Sequence, residues 1–430
     1  MSASSALTVT NGTSPSGGDA RSMLTVPAEV QDVIQRAPAD LDQISTVHWY
    51  AAHIASLPHE IRQEAGSILN SLAHRMVERG ASDLDVGGPA TGEQIWLRID
   101  GVKQPDPSFG RLTPQEADFL LLSLLSARQR DQLLATRSID HTYTIHVGEG
   151  ARGRRFRASF YFDQQHVALS MRMLEEKPRP LHALGFHPHI EDGFLFRNVR
   201  DGLTLITGVT GAGKSTTLDA IIDANNRSVS GHVLIIADPL EYVHESRKCL
   251  VRHREVGTDV DSFVDGMVQG LRQDPDIVVV GEMRDAETMA TALEMADTGH
   301  KVFSTLHTGS ALETIDRIIA EYPPDEQHRV RHRLADVLRC VVSQKLVPAV
   351  DGGRILAKEV LWMTPAARAA VKNGNTGEIY QMIWQGLDHG MVTMEQDLAR
   401  LVRENAITMT MARNFANNKQ RLVKLIKYSA

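Results

Sequence analysis

The stretch GVTGAGKSTTLDA, Gly208 to Ala220, limits what this chain can fold into more than any other part of it. It follows the apolar run LTLIT (203–207) and opens a segment of helical character, which predicts a strand, a tight glycine turn and a helix in that order. In that context the backbone of Gly208, Thr210, Gly211, Ala212 and Gly213 curls around nucleotide phosphates. Lys214 supplies a point charge, Ser215 is placed to ligate Mg²⁺, and Thr216 is the last of the expected nucleotide-binding residues. Further apolar runs, VLIIA (233–237), IVVV (277–280) and VFSTL (302–306), alternate with helical segments. The pattern predicts an α/β unit with a mostly parallel sheet between helices.

In an open sheet of that kind, ligands bind beyond the carboxyl ends of the strands. Three strand ends carry acidic or histidine side chains there: Asp238 and Glu241 in ADPLEYVH, Glu282 in DIVVVGEMRD, and His307 in TGHKVFSTLHT. A glutamate after the apolar strand can polarise an attacking water, which favours hydrolysis over transfer to a second substrate. Ser215 and Asp238 are the expected Mg²⁺ ligands and ATP the expected nucleotide.

Other phosphate-loop classes fit less well. The N-K-x-D signature of GTPases is missing, as is L-S-G-G-Q, and small-molecule kinases seldom carry a whole domain before the loop. A net charge of −7 without an aromatic and basic stripe argues against nucleic acid. Two well-separated cysteines, Cys249 and Cys340, give neither a disulfide framework nor a tetracysteine zinc site and suit a reducing cytoplasm. Apolar stretches such as FLLLSLLSA (119–127) are too short to span a bilayer. What remains is a ring-forming ATPase, in which a neighbouring subunit or domain supplies arginines to the site.

The first 22 residues are rich in Ser, Thr and Gly and lack a secretory pattern, so residues 1–55 are expected as a disordered or extended tail. Residues 56–174 read as a small α+β domain. It has a helix over 59–79 with Ile61, Ala65, Leu69, Leu72 and Met76 on one face, a second helix capped by Thr113 and Glu116, and strands around QIWLRIDG, HTYTIHV and RFRASFYF. Residues 175–185 form a stiff polar linker, 186–345 the phosphate-loop core, and 346–430 a helical C-terminal region. His182, His187 and His189 lie in a Pro-rich loop without acidic company and are expected to face solvent; the basic end, NNKQRLVKLIKYSA, reads as a final helix.

The stretches GASDLD, GVTGAGKSTTLDAIID, DPLEYVH, REVGTDVDSF, LRQDPDIVVVGEMRDAET, TGHKVFSTLHT and TIDRIIAEYPPDEQ resemble the secretion ATPase superfamily of type II secretion, type IV pili and conjugation, most closely its PilT class of pilus retraction ATPases. The resemblance implies a PAS-like N-terminal domain, a RecA-like C-terminal domain and a homohexamer. It gives Lys214 and Ser215 the Walker A roles, Asp238 and Glu241 those of the Asp box, Glu282 that of the Walker B glutamate and His307 that of the His box. Arg157 in RFRAS and Arg172 in LSMRML match N-terminal-domain arginines that reach the phosphates when the domain closes. An inner-membrane pilus platform protein is the implied partner, and the cytoplasmic base of the pilus machine the implied location. The segment TPAARAAVKNG (364–374) keeps Ala366, Arg368 and Gly374 of the retraction class's A-I-R-N-L-I-R-E-G. Ala237 replaces the family's common glutamate, which motivates a second reading: a weakly hydrolysing regulatory ring that modulates a second pilus ATPase. The runs around KLVPAVDGG also resemble type IVB secretion and conjugation ATPases.

Overall fold

Alternation of apolar and polar residues in the N-terminal part produces a sheet with one buried face: Phe156, Ala158 and Phe160 of one strand are fully buried, as is Leu169 of its neighbour. The computed structural model describes residues 26, 28–55, 57–99, 101–146, 153–174 and 177–428. The chain divides at Leu174/Glu175 into two units.

In the first unit, strands β1 (Asp83–Gly87), β2 (Trp96–Ile99), β3 (Val102–Pro105), β4 (Ser138–His146), β5 (Gly153–Asp163) and β6 (His166–Met173) pair in the order β3-β2-β1-β6-β5-β4. Every pairing is antiparallel. The helix His59–Glu78 buries Leu72 and Met76, while the side chains of Ala65 and Leu69 lie outside the described set. Helix Pro114–Ser123 has the expected capping box of Thr113 and Glu116.

The expected extended tail is corrected over its second half. Residues through 25 are outside the described set, but Ala28–Gln35 and Gln43–Ile54 are helices. Asp42 caps the second by accepting from Ser45 N at 2.7 Å, and Val47, Tyr50 and Ile54 bury on one face at helical spacing. Gln43 then donates to Asp118, a fully buried carboxylate that also accepts from Val167 N at 2.6 Å and meets the His166 ring at 2.9 Å. Burial pushes the Asp118 carboxyl up to about 6, against the pull of these donors.

The second unit holds β7 (Gly202–Thr207), β8 (Gly231–Ala237), β9 (Cys249–Glu255), β10 (Ile277–Val280), β11 (Lys301–Leu306), β12 (Leu338–Pro348) and β13 (Arg354–Trp362). Their order is β13-β12-β7-β11-β10-β8-β9, parallel except for the β12/β13 pair. Strands β7, β10 and β11 are buried along their whole length, as a parallel sheet covered on both faces requires.

Here a second expectation is corrected: residues 346–430 are not helical throughout, because β12 runs on to Pro348 and β13 extends the sheet to Trp362. Helices resume at Pro365–Lys372, where Ala367, Ala370 and Val371 pack inward and Arg368 donates to the carbonyls of Ala335 and Asp336, both at 2.8 Å. The final helix, Lys419–Tyr428, buries Leu422 in a cluster with Val347, Ala357 and Leu398, so its apolar side is committed to packing. His182, His187 and His189 are exposed, and His187 caps the short helix Pro188–Phe194.

Candidate nucleotide site

β7 delivers the chain to the glycine turn, and helix Lys214–Ser228 begins directly after it. Gly211 and Gly213 have φ of +80° and +86°, in the left-handed region that a side chain disfavours. At Gly208 the demand is steric, since a Cβ there would lie 2.5 Å from Gln344 O and 2.8 Å from Ala212 Cβ. No side chain caps the first N–H groups of the helix, which therefore face the loop with the positive end of the dipole behind them.

Lys214 Nζ donates to Gly208 O at 2.9 Å and to Val209 O at 3.3 Å. Burial lowers its ammonium below the ordinary lysine value, while the carboxylates of Glu282 and Glu241 pull the other way. Three of the expected residues thus act on one another across the strand ends. Gln344, a buried side chain of β12, braces the loop from beneath: its Nε2 donates to Ala212 O at 3.0 Å and its Oε1 accepts from Thr217 Oγ1 at 3.1 Å. Beside it, the hydroxyls of Thr207 and Ser343 share a hydrogen bond of 2.7 Å.

Glu282 follows β10 and is held from both sides. Gly281 N donates to Ile236 O at 2.8 Å, Thr305 Oγ1 to Gly281 O at 2.6 Å, and Met283 N to Thr305 O at 3.1 Å. Its side chain is 15% exposed, with Oε2 3.5 Å from His307 Nε2 at the end of β11 and Oε1 in an ion pair with Arg284. The hydrogen bond to Glu282 raises the Arg284 guanidinium above its ordinary value, and the charges of Glu282 and Asp238 add to it. Asp238 and Glu241 are exposed beyond β8, and Ala237 lies against Gly281, where a Cβ would meet Ala237 Cα at 3.3 Å.

Arg157 and Arg172 belong to the first unit, where they stand directly opposite each other on β5 and β6. Arg157 pairs with Asp140 at 3.2 Å, and Arg172 Nε donates to Asp83 Oδ1 at 2.7 Å. Burial pushes the Asp83 carboxyl up, but the Ser82 hydroxyl and the Arg172 and Arg98 guanidiniums outweigh it and leave it below the usual carboxylate range.

Two residues of the site are not foreseen from the sequence. Arg284 had a signal, since residues two apart in extended chain point the same way and Glu282 is two before it. Gln344 had none, because its partners Ala212 and Thr217 lie far away in the chain.

The family model described as type II/IV secretion system protein matches residues 65–428. The type IV pilus retractation ATPase PilT of Pseudomonas aeruginosa is 37% identical over 345 residues, covering 79% of this chain and 95% of that protein. Among solved structures, the pilus retraction motor PilT with bound ADP superposes with a TM-score of 0.73 at 35% identity, covering 82% of this chain and 98% of the other. The Legionella pneumophila ATPase DotB superposes with a TM-score of 0.70 at 26% identity, covering 81% and 95%.

Proposed function

The chain belongs to the type II/IV secretion ATPase family, in its PilT class, and from that premise we propose that it is the hexameric Mg²⁺-dependent motor that retracts a type IV pilus. The observation that carries the reading is the meeting of the phosphate loop, Glu282 and His307 at adjacent strand ends, with Lys214 in the field of Glu282 and Glu241.

In the proposed reaction the loop N–H groups and Lys214 hold the β- and γ-phosphates of ATP. Glu282 takes a proton from water as the water oxygen bonds to the γ-phosphorus. The bond from that phosphorus to the bridging oxygen breaks, and ADP leaves with the electron pair. His307, beside Glu282, is placed to sense the γ-phosphate. The PAS-like first unit brings Arg157 and Arg172 to the developing charge when it closes.

The donor set suits Mg²⁺. Ser215 and the exposed Asp238 offer oxygens only, and no group of three or more His, Cys, Asp or Glu gathers among the described residues. Mg²⁺ is ordinarily held by one or two protein oxygens together with substrate phosphates and water. When bound, it neutralises phosphate charge.

Cycles of binding and release rotate the first unit against the ATPase core of a ring and so move an inner-membrane platform protein from the cytoplasmic side. No helix among the described residues is long and apolar enough to cross a membrane, which suits a peripheral role. The likeness to DotB favours a second reading, the ATPase of a type IVB secretion or conjugation system. Ala237 supports a third, the weakly hydrolysing ring that modulates another pilus ATPase.

Complementation separates these readings. In a host strain lacking this chain, the wild-type sequence restores pilus retraction and twitching and Lys214→Ala does not. Normal twitching in the deletion strain would exclude the pilus reading.

A further inference from the structure

One oxygen of the Glu282 carboxylate is held in an ion pair by Arg284, while the other lies 3.5 Å from His307 Nε2. A general base needs a free oxygen aimed at the proton it takes. The backbone around Arg284 is pinned: Met283 N is bonded to Thr305 O, and Asp285 caps helix Ala286–Asp297 by accepting from Thr288 N at 2.8 Å. The Arg284 side chain, by contrast, is 65% exposed, and the contact that holds it is the pair with Glu282. It already feels a second anion, Asp238, beyond the neighbouring strand.

We infer that Arg284 is a positioning residue that holds Glu282 in a resting geometry, and that the terminal phosphate of a bound nucleoside triphosphate draws it away. A guanidinium prefers the fork of phosphate oxygens over one carboxylate oxygen, so the γ-phosphate outcompetes Glu282 for it. The substrate would then free its own base, and ADP, lacking that phosphate, would leave the pair closed. The inference rests on the proposed role of Glu282 in hydrolysis.

The test uses the full chain with Arg284→Ala, Arg284→Lys, Glu282→Gln and the double variant Glu282→Gln/Arg284→Ala. Arg284→Ala is expected to raise kcat several-fold and to raise KM for ATP about tenfold, the size of one charge-assisted hydrogen bond. Arg284→Lys keeps a cation and should return both constants towards wild type. A second readout needs no turnover: adding Arg284→Ala to Glu282→Gln should lower the ATP-to-ADP affinity ratio about tenfold. An unchanged ratio overturns the inference, as does a fall in kcat in Arg284→Ala that lysine does not rescue. Full turnover in Glu282→Gln would instead refute the site assignment itself, a different failure.

Discussion

The two sheets hold their charged side chains in opposite ways. In the parallel sheet of the second unit, Glu282 and His307 stand just past buried strands, and hydrogen bonds to β8 and β11 fix the backbone that carries Glu282. In the antiparallel sheet of the first unit, Arg157 and Arg172 project from the middle of strands, side by side and 42% and 70% exposed. Like charges directly opposite repel, and Asp83 and Asp140 offset that repulsion through ion pairs in which both guanidiniums stay exposed, although Asp83 itself is largely covered. The Glu282 carboxylate, 15% exposed on a pinned backbone, is preorganised although its neighbour His307 is exposed, whereas an exposed arginine in a surface pair can be redeployed at little cost. On the proposed function, the comparison puts the base on a pinned backbone in the second unit and makes the exposed arginines of the first unit charge that can be redeployed.

The largest effect that could break this comparison is at the loop itself. Lys214→Ala should lower ATP turnover by about 10²-fold or more while the chain stays folded, as read by steady-state kinetics beside circular dichroism.

Gln344→Ala strips the brace from the loop and leaves Ala212 O and the Thr217 hydroxyl without their partner. It should cost about 2 kcal/mol of stability and weaken nucleotide binding, measured by denaturant unfolding and by ADP titration. Stability lost with affinity intact would show that the brace does not shape the loop.

A smaller effect tests burial in the same sheet. Lys301 is almost wholly buried, donates to the carbonyls of Gly193 and Val199, and burial drives its ammonium from 10.5 to about 7. Between those values the unfolded chain binds the extra proton, so this group makes stability rise with pH over that window. Lys301→Met should flatten the slope of unfolding free energy against pH from 7 to 10 by the equivalent of about one proton.

The smallest stability effect belongs to the first unit. Arg157→Ala and Arg172→Ala should each change stability by less than about 1 kcal/mol, yet each should slow ATP turnover. A large loss of stability with unchanged turnover would make the two arginines structural and remove the contrast.

The core of the second unit was legible because strands buried on both faces must be unbroken apolar runs, and the glycine turn has few alternative uses. The strand after residue 346 was not, because it and its partner strand bury polar side chains, Ser343, Gln344, Lys358 and Glu359, which interrupt any apolar run or alternation. Each is satisfied inside the fold; Glu359, for example, accepts from Ala311 N at 2.8 Å. Such partners come from distant sequence and leave no local trace. The helix Gln43–Ile54 was a different kind of miss. Its cap at Asp42 and its apolar spacing were present, but the Ser- and Gly-rich start of the chain masked them.

The loop residues and strand-end acids were readable in the same way, as types at fixed spacing after apolar runs. Arg284 was harder, because an arginine after a glutamate is common, and only the fold turns both towards one point.

The central claim is that Glu282 activates water for hydrolysis of ATP held by the loop. The most direct measurement is Mg²⁺-dependent ATP turnover of the purified chain beside Glu282→Gln. Clear hydrolysis in the wild type, lost by about 10²-fold in the variant with ATP binding retained, is the predicted result. Tight binding without turnover in the wild type, or undiminished turnover in Glu282→Gln, would contradict it.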